Sequence, residues 1–206
     1  DAWLTRGISG YLANDYCKKA FGNNEHLFYV KRAMEKVVRY EQDFRPIILD
    51  PSHKQWYLEK DYFSLRNFHT ISPHYDKMHR VKSFLIMRML EIYLGKALLV
   101  QVFNKMLSLA ALAAPQKFVA NSWYSLHAST SSFIWAISTV TGKNIDTFLK
   151  QWVFQGGHVK LTSSFVFNRK RNTVELEIKQ VHNSHTGVKR YLVSVLLVFD
   201  YYFIKR

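Results

Sequence analysis

The sequence predicts an α+β chain, helical as far as residue 157 and built of strands beyond it. Apolar residues recur at three- and four-residue steps through most of 1–157, and glycines and prolines stand where those stretches stop. After Gly156-Gly157 the apolar period changes to two, which places the expected domain boundary there. With 206 residues and 48% apolar content, the chain can bury a sizeable core.

Each element has its own signal. Trp3 and Leu4, Gly7 and Ile8, then Tyr11 and Leu12 form one face of a first helix, which closes over Cys17 to Gly22. Asn23-Asn24-Glu25 offers a cap with acid in the following turn, and Leu27, Val30, Met34, Val37, Val38 and Glu41 then keep helical spacing. Lys31, Arg32, Lys36 and Arg39 fall on the other faces, a basic outer side that is by default solvated. Residues 45–76 have no long period. Pro46, Asp50-Pro51 and Ser72-Pro73 punctuate scattered aromatics, the signature of a packed connection.

The third helix runs over 75–95 with Val81, Leu85, Met89, Ile92 and Tyr93 or Leu94 inward and Gly95 as its stop. From Lys96 the residues Leu98, Leu99, Val102, Phe103, Met106, Leu107 and those from 109 to 112 continue the pattern up to Pro115. Residues 121–141 read as a helix ended by Gly142, with Trp123, Leu126, Phe133, Ile134, Ile137 and Val140 apolar. Asn144 caps 145–154, where Phe148, Leu149 and Trp152 point inward. Trp3, Tyr11, Met89, Phe133 and Trp152 are accordingly expected in the core.

Beyond Gly157, Val159, Leu161, Phe165 and Phe167 alternate with polar residues, as do Val174, Leu176 and Ile178 after the turn Arg169-Lys170-Arg171-Asn172. That is a β-hairpin. Residues 191–199 extend it into the start of a β-sandwich.

Charge and cysteine bound the function. Lys and Arg number 29 against 15 Asp and Glu, a net charge of +14, so nucleic acid or an acidic protein is the expected kind of partner. The single Cys17 excludes an internal disulfide and fits a reducing compartment, cytosol or nucleus. The apolar runs 107–114 and 193–199 are too short to span a bilayer, and no secretory leader is visible. His69, His74 and His79 stand at five-residue steps, which does not stack side chains on a helix face. No cysteine or nearby carboxylate completes a metal set with them. Gly7-Ile8-Ser9-Gly10 lacks the spacing of a nucleophile elbow.

Three landmarks carry a family resemblance. Trp3-Leu4-Thr5-Arg6-Gly7-Ile8 resembles the Trp-Leu-Asn-Glu-Gly-Phe segment of the gluzincin aminopeptidases, whose glutamate is the third zinc ligand. Here that position is Arg6, a guanidinium with donors only, unable to ligate a metal. Read without the resemblance, Arg6 is an exposed helix residue beside an apolar stripe. Laying Arg88-Met89-Leu90-Glu91 on the family's Arg-Met-Leu-Glu puts Lys82 on its lysine, Ser83 on its glycine and Arg80 where its oxyanion-binding tyrosine stands. Tyr75 reaches that role only through a five-residue shift. Phe148-Leu149, Trp152, Gln155 and Gly157 match the family's helix end, with His158 and Val159 in place of Tyr-Pro.

The resemblance implies the mainly helical C-terminal half of an aminopeptidase-like catalytic domain over 1–157, then a β-sandwich start over 158–206, with an atypical terminus from Val193 that does not continue the family's strand pattern. The chain reads as a fragment that begins in mid-motif. Longer strings narrow the resemblance: Lys18-Lys19-x-Phe21-Gly22-Asn23-Asn24-Glu25, Ser164-Phe165-x-Phe167-Asn168-Arg169-Lys170-Arg171-Asn172, and the run from Glu175 to Gln180. They are similar to the TBP-associated factors of the general transcription factor TFIID, among which this fold occurs without peptidase activity. Implied are a nuclear, non-catalytic subunit without zinc or cofactor, with other TBP-associated factors and core-promoter DNA as partners, and no membrane or small-molecule substrate.

The alternative is an active zinc aminopeptidase. It requires a His-Glu-x-x-His helix, a string absent from these residues and placed upstream of this segment in the enzymes. Arg6 and Arg80 weigh against it. Arg169, Lys170 and Arg171 cluster at the hairpin tip as candidate DNA contacts; a solvated tip or an acidic partner subunit fits the same residues.

Overall fold

The computed structural model describes residues 1–51, 72–113, 128–170, 173–181 and 195–200. The helices are α1 (Ala2–Phe21), α2 (Asn23–Asp43), α3 (Pro73–Leu94), α4 (Lys96–Ala113), α5 (Thr130–Thr141) and α6 (Asp146–Trp152). The strands are β1 (Lys160–Asn168), β2 (Thr173–Val181) and β3 (Val195–Asp200). Two compact units result, Asp1–Gly156 and Gly157–Arg206.

In the helical unit, α1 and α2 both pack on α3, and local chemistry sets where each helix stops. Gly22, Gly95 and Gly142 hold positive φ at helix ends, conformations that cost a residue with a Cβ. Ser129 begins α5 with a capping box, its side chain accepting from the Ser132 amide while the Ser132 hydroxyl accepts from its own. The helix expected over 145–154 runs from Asp146 to Trp152 with Ile145 at its N-cap position, so Asn144 stands one residue before the cap; its Oδ1 still accepts from the Asp146 amide at 2.7 Å.

Close approach of α1 to α3 depends on glycine. A Cβ on Gly7 would lie 2.8 Å from Met87 Cγ and 2.9 Å from the Ser83 carbonyl oxygen, so nothing larger fits at the crossing. Trp3 meets Phe133 edge-on at 6.0 Å between ring centroids, and its indole Nε1 donates to Thr130 Oγ1 at 3.0 Å. Tyr11 meets Phe103 at 5.9 Å in the same manner. The connection after α2 returns across the unit: the Leu49 and Asp50 amides both donate to the Val153 carbonyl at 3.1 Å, and Gly156 leaves room for Pro46.

Several sequence expectations are corrected here. Of the five aromatic and methionine core residues named above, Trp3, Tyr11 and Phe133 are buried, while Met89 and Trp152 are half-buried at the core edge. Of the residues expected inward on α3, Leu94 is buried and Val81, Leu85 and Met89 are partly buried against the core, whereas Tyr93 is half exposed and Ile92 is 77% exposed. The fully buried residues are Tyr75, Met78, His79, Lys82, Ser83, Phe84, Ile86, Met87, Leu90 and Leu94. The apolar count misjudged the phase because this face carries three polar side chains that find partners inside. On α2 the buried residues are His26, Ala33, Val37, Tyr40 and Glu41, leaving Leu27 and Met34 about half exposed. Leu12 on α1 and Leu107, Leu109 and Leu112 on α4 are likewise exposed. The helix expected over 121–141 begins at Thr130, and 121–127 lie outside the described residues.

The second unit is a three-stranded antiparallel sheet in the order β1-β2-β3. Its register pairs Lys160 with Val181 and Asn168 with Thr173. Leu161, Phe165 and Phe167 share a face with Ile178, Leu176 and Val174, because directly opposed residues project to the same side. Architecture is thus mixed α and β, mostly helical, with the change of period falling where the strands begin.

Candidate functional site

Arg6 and Arg80, 74 positions apart in sequence, meet on one carboxylate. Arg6 lies in the second turn of α1, and α3 presents Asp76 in its first turn with Arg80 one turn on. Arg6 Nη2 lies 2.6 Å from Asp76 Oδ1, and Arg80 Nε donates to Asp76 Oδ2 at 3.0 Å. Arg6 is therefore not the exposed surface residue of the plainer reading. Its side chain is 21% exposed, and the Arg80 side chain is 61% exposed. Burial works against the Asp76 carboxylate, but the Arg80 and Arg6 guanidiniums outweigh it and hold its pKa below the usual range.

His79, one turn along α3 from Asp76 and next to Arg80 in sequence, completes the cluster. Its Nε2 lies 3.3 Å from the Leu49 carbonyl oxygen, which can only accept, so Nε2 carries the proton. Nδ1 then has a lone pair, and Arg6 Nη1 points at it from 3.4 Å. The ring is neutral: burial, with the nearby Arg6 charge adding to it, lowers its pKa to about 4 against the helping bond from Leu49. Both ring nitrogens are thus engaged within the protein. His74 stacks on Tyr40 at 5.0 Å, and His69 lies outside the described residues.

These residues do not fit the zinc that the aminopeptidase resemblance implies. At the position of the third ligand stands a cation with no lone pair, already bonded to Asp76 and His79. Tyr75 does not replace the oxyanion-binding tyrosine: its ring is buried and its hydroxyl lies 3.5 Å from the Ile48 carbonyl oxygen, with burial pushing its pKa up. Among the described residues, no group of three or more His, Cys, Asp or Glu side chains could hold a metal ion. No described helix is long and apolar enough to cross a membrane.

Sequence reasoning missed a second charged contact beneath this cluster. Lys82 Nζ donates to Glu41 Oε1 at 2.6 Å and to the Ile47 carbonyl at 2.8 Å, and Glu41 Oε1 accepts from the Ile47 amide at 3.0 Å. Both side chains are buried, and burial pulls the Lys82 pKa down against the opposing pull of Glu41. The pair joins α2, α3 and the connection at Ile47. A signal existed: Glu41 falls in the apolar register of α2, where an unpaired carboxylate would be costly.

The other candidate is the hairpin tip. Arg169 and Lys170 are exposed in the turn between β1 and β2, and neither has an ion-pair partner among the described residues. Arg171 lies outside the described residues. Phosphate contact needs free donors on a projecting element, and these two cations supply them.

Fold and site together define a mixed α+β protein in which Arg6 and Arg80 share one carboxylate and the turn cations Arg169 and Lys170 meet no acid among the described residues. No protein-family model matches the chain. It is 44% identical to Drosophila melanogaster transcription initiation factor TFIID subunit 2 over 93% of its own length, and 42% identical to the Danio rerio protein of that name over 93%. The Saccharomyces cerevisiae counterpart is 27% identical over 91%. The chain belongs to the TFIID subunit 2 family, and it spans 17% of the Drosophila relative and 16% of the Danio one.

Proposed function

We propose that this chain is a segment of a non-catalytic TFIID subunit that serves as a scaffold and core-promoter contact during assembly of the RNA polymerase II preinitiation complex. Residues 1–157 are the C-terminal half of an inactivated aminopeptidase-like catalytic domain, and 158–206 begin a β-sandwich. Other TBP-associated factors and initiator DNA are its partners, in the nucleus. The observation that carries the reading is the Arg6 to Asp76 pair with Arg80 on the same carboxylate: a position that must supply a lone pair for zinc supplies a satisfied cation instead. The homology to TFIID subunit 2 sequences supports it independently.

Metal analysis of the full-length protein tests the non-catalytic half of this reading. We expect no stoichiometric zinc and no hydrolysis of aminoacyl reporters; one tightly held zinc, or hydrolysis abolished by a chelator, would restore the active-peptidase alternative. For the DNA half, replacing Arg169, Lys170 and Arg171 together by alanine lowers promoter affinity in the assembled complex. It also flattens the salt dependence by up to ~3 units of slope, about one per lost phosphate contact. Unchanged affinity and slope would reassign the tip to protein contact.

A further inference from the structure

The exposed side of α2 carries two adjacent ridges of different chemistry. Leu27, Lys31, Met34 and Val38 follow one another at steps of four, three and four, and Phe28, Arg32, Glu35 and Arg39 form the neighbouring row with the same spacing. The first row is apolar except for Lys31. Leu27 is 51% exposed and Met34 53%, with Val38 half-buried beside them, so an apolar stripe continues past the edge of the buried face onto open surface. The second row is cationic with an aromatic: Phe28 is 53% exposed, and the Arg32 guanidinium lies over its ring at 5.6 Å.

Charge on this surface is largely uncompensated. From Leu27 to Arg39 the helix carries Lys31, Arg32, Lys36 and Arg39 against Glu35 alone. Lys31 and Glu35 pair loosely at 3.8 Å; Arg32, Lys36 and Arg39 have no carboxylate partner among the described residues. That contrasts with Arg6, Arg80 and Lys82, each of which meets an acid. Apolar side chains at helical spacing, bordered by free cations, match the seam of a helix-in-groove contact with acids along its border.

We propose that these two ridges of α2 are a docking surface for an acidic amphipathic helix of a partner protein. Its leucine-type residues cover Leu27, Met34 and Val38, and its carboxylates meet Arg32 and Arg39. The inference is independent of the DNA contact at the hairpin tip, which lies in the other unit.

Fluorescence anisotropy with the full-length protein tests it, using a labelled synthetic helix with leucines at three- and four-residue steps and flanking glutamates. The control replaces every glutamate by lysine. The glutamate helix should bind at least ~10-fold tighter than the lysine helix, since each well-placed charge-assisted contact is worth a sizeable fraction of a tenfold step. The double variant Leu27→Ser, Met34→Ser should lose roughly tenfold in affinity with an unchanged melting temperature, because both side chains are already half in water. Arg32→Glu with Arg39→Glu should reverse the preference toward the lysine helix. Equal binding of the two peptides, or wild-type binding by either double variant, would overturn the proposal. So would competition by duplex DNA that the charge variant abolishes and the apolar variant leaves intact, which would make this a nucleic-acid surface.

Discussion

In the helical unit, charges that cross between elements are consumed by the fold; at the hairpin tip of the second unit, the described cations meet no acid among the described residues. Arg6 on α1 and Arg80 on α3 share Asp76, His79 spans Arg6 and Leu49, and Lys82 on α3 joins Glu41 on α2. Arg169 and Lys170 project from the turn without an acid among the described residues. The same residue type thus does two kinds of work. A cation with a buried partner reports on stability, and a cation with none is available to something outside the chain. The contrast can be broken experimentally at four places.

The largest effect belongs to Glu41. Removing one member of a buried ion pair leaves the other charge uncompensated, so Glu41→Ala should cost about 3–5 kcal/mol in urea unfolding. The double variant Glu41→Leu, Lys82→Met removes both charges and should recover part of that loss. Recovery stays incomplete, because the Ile47 amide and carbonyl lose partners worth about 1–3 kcal/mol. A double variant no more stable than Glu41→Ala would mean that the pair is not the source of the loss.

His79 comes next, and its sign follows from its depressed pKa. The fold keeps the ring neutral down to about pH 4, whereas the unfolded chain protonates it near 6.5. Its contribution is full above pH 6.5 and is lost as pH falls toward 4, at up to ~1.4 kcal/mol per unit and about 3 kcal/mol in all. His79→Gln should flatten the stability profile across that window by close to one proton. His26, buried and shifted the same way, contributes a slope that persists in the variant. Identical wild-type and variant slopes would show that His79 titrates freely.

How much of this was legible in the sequence depends on which residues carried the pattern. Glycine and proline marked the helix ends because only backbone geometry is at stake there, and Gly22, Gly95 and Gly142 all stand at such ends. The hairpin was readable because Val174, Leu176 and Ile178 alternate strictly and the turn between the strands is short. The phase of α3 was not, because His79, Lys82 and Ser83 are buried and an apolar count scores such residues as outward; on α2 Glu41 fell in the expected register, but the buried His26 and the half-exposed Leu27 and Met34 run against the count. Arg6 and Arg80 were identifiable one by one through resemblance, but their convergence on Asp76 depends on how α1 crosses α3 at Gly7. Spacing along the chain carries no information about that crossing.

A smaller effect tests whether the cluster is structural. Arg6→Glu sets two carboxylates face to face and should cost about 1–2 kcal/mol, more than a surface pair and less than a fully buried one. Adding Asp76→Lys restores opposite charge across the same gap and should recover part of the loss in a double-mutant cycle, the rest being withheld because Arg80 then faces a like charge. No coupling between the two positions would mean that Arg6 and Asp76 are neighbours without energetic consequence.

The smallest expected effect is the most informative about function. Arg169→Ala with Lys170→Ala removes two exposed turn cations that the fold does not use, so stability should stay within about 0.5 kcal/mol of wild type. Both residues precede β2, and neither supplies a strand-pairing register position, since the register passes from Asn168 directly to Thr173. The cost of alanine there is confined to local turn preference. A loss above about 1 kcal/mol would place the tip with the helical unit's paired charges, as a structural element. Unchanged stability together with a shallower salt dependence of promoter binding would separate the two classes of cation cleanly: the charges the fold has satisfied, and those it has left for a phosphate backbone.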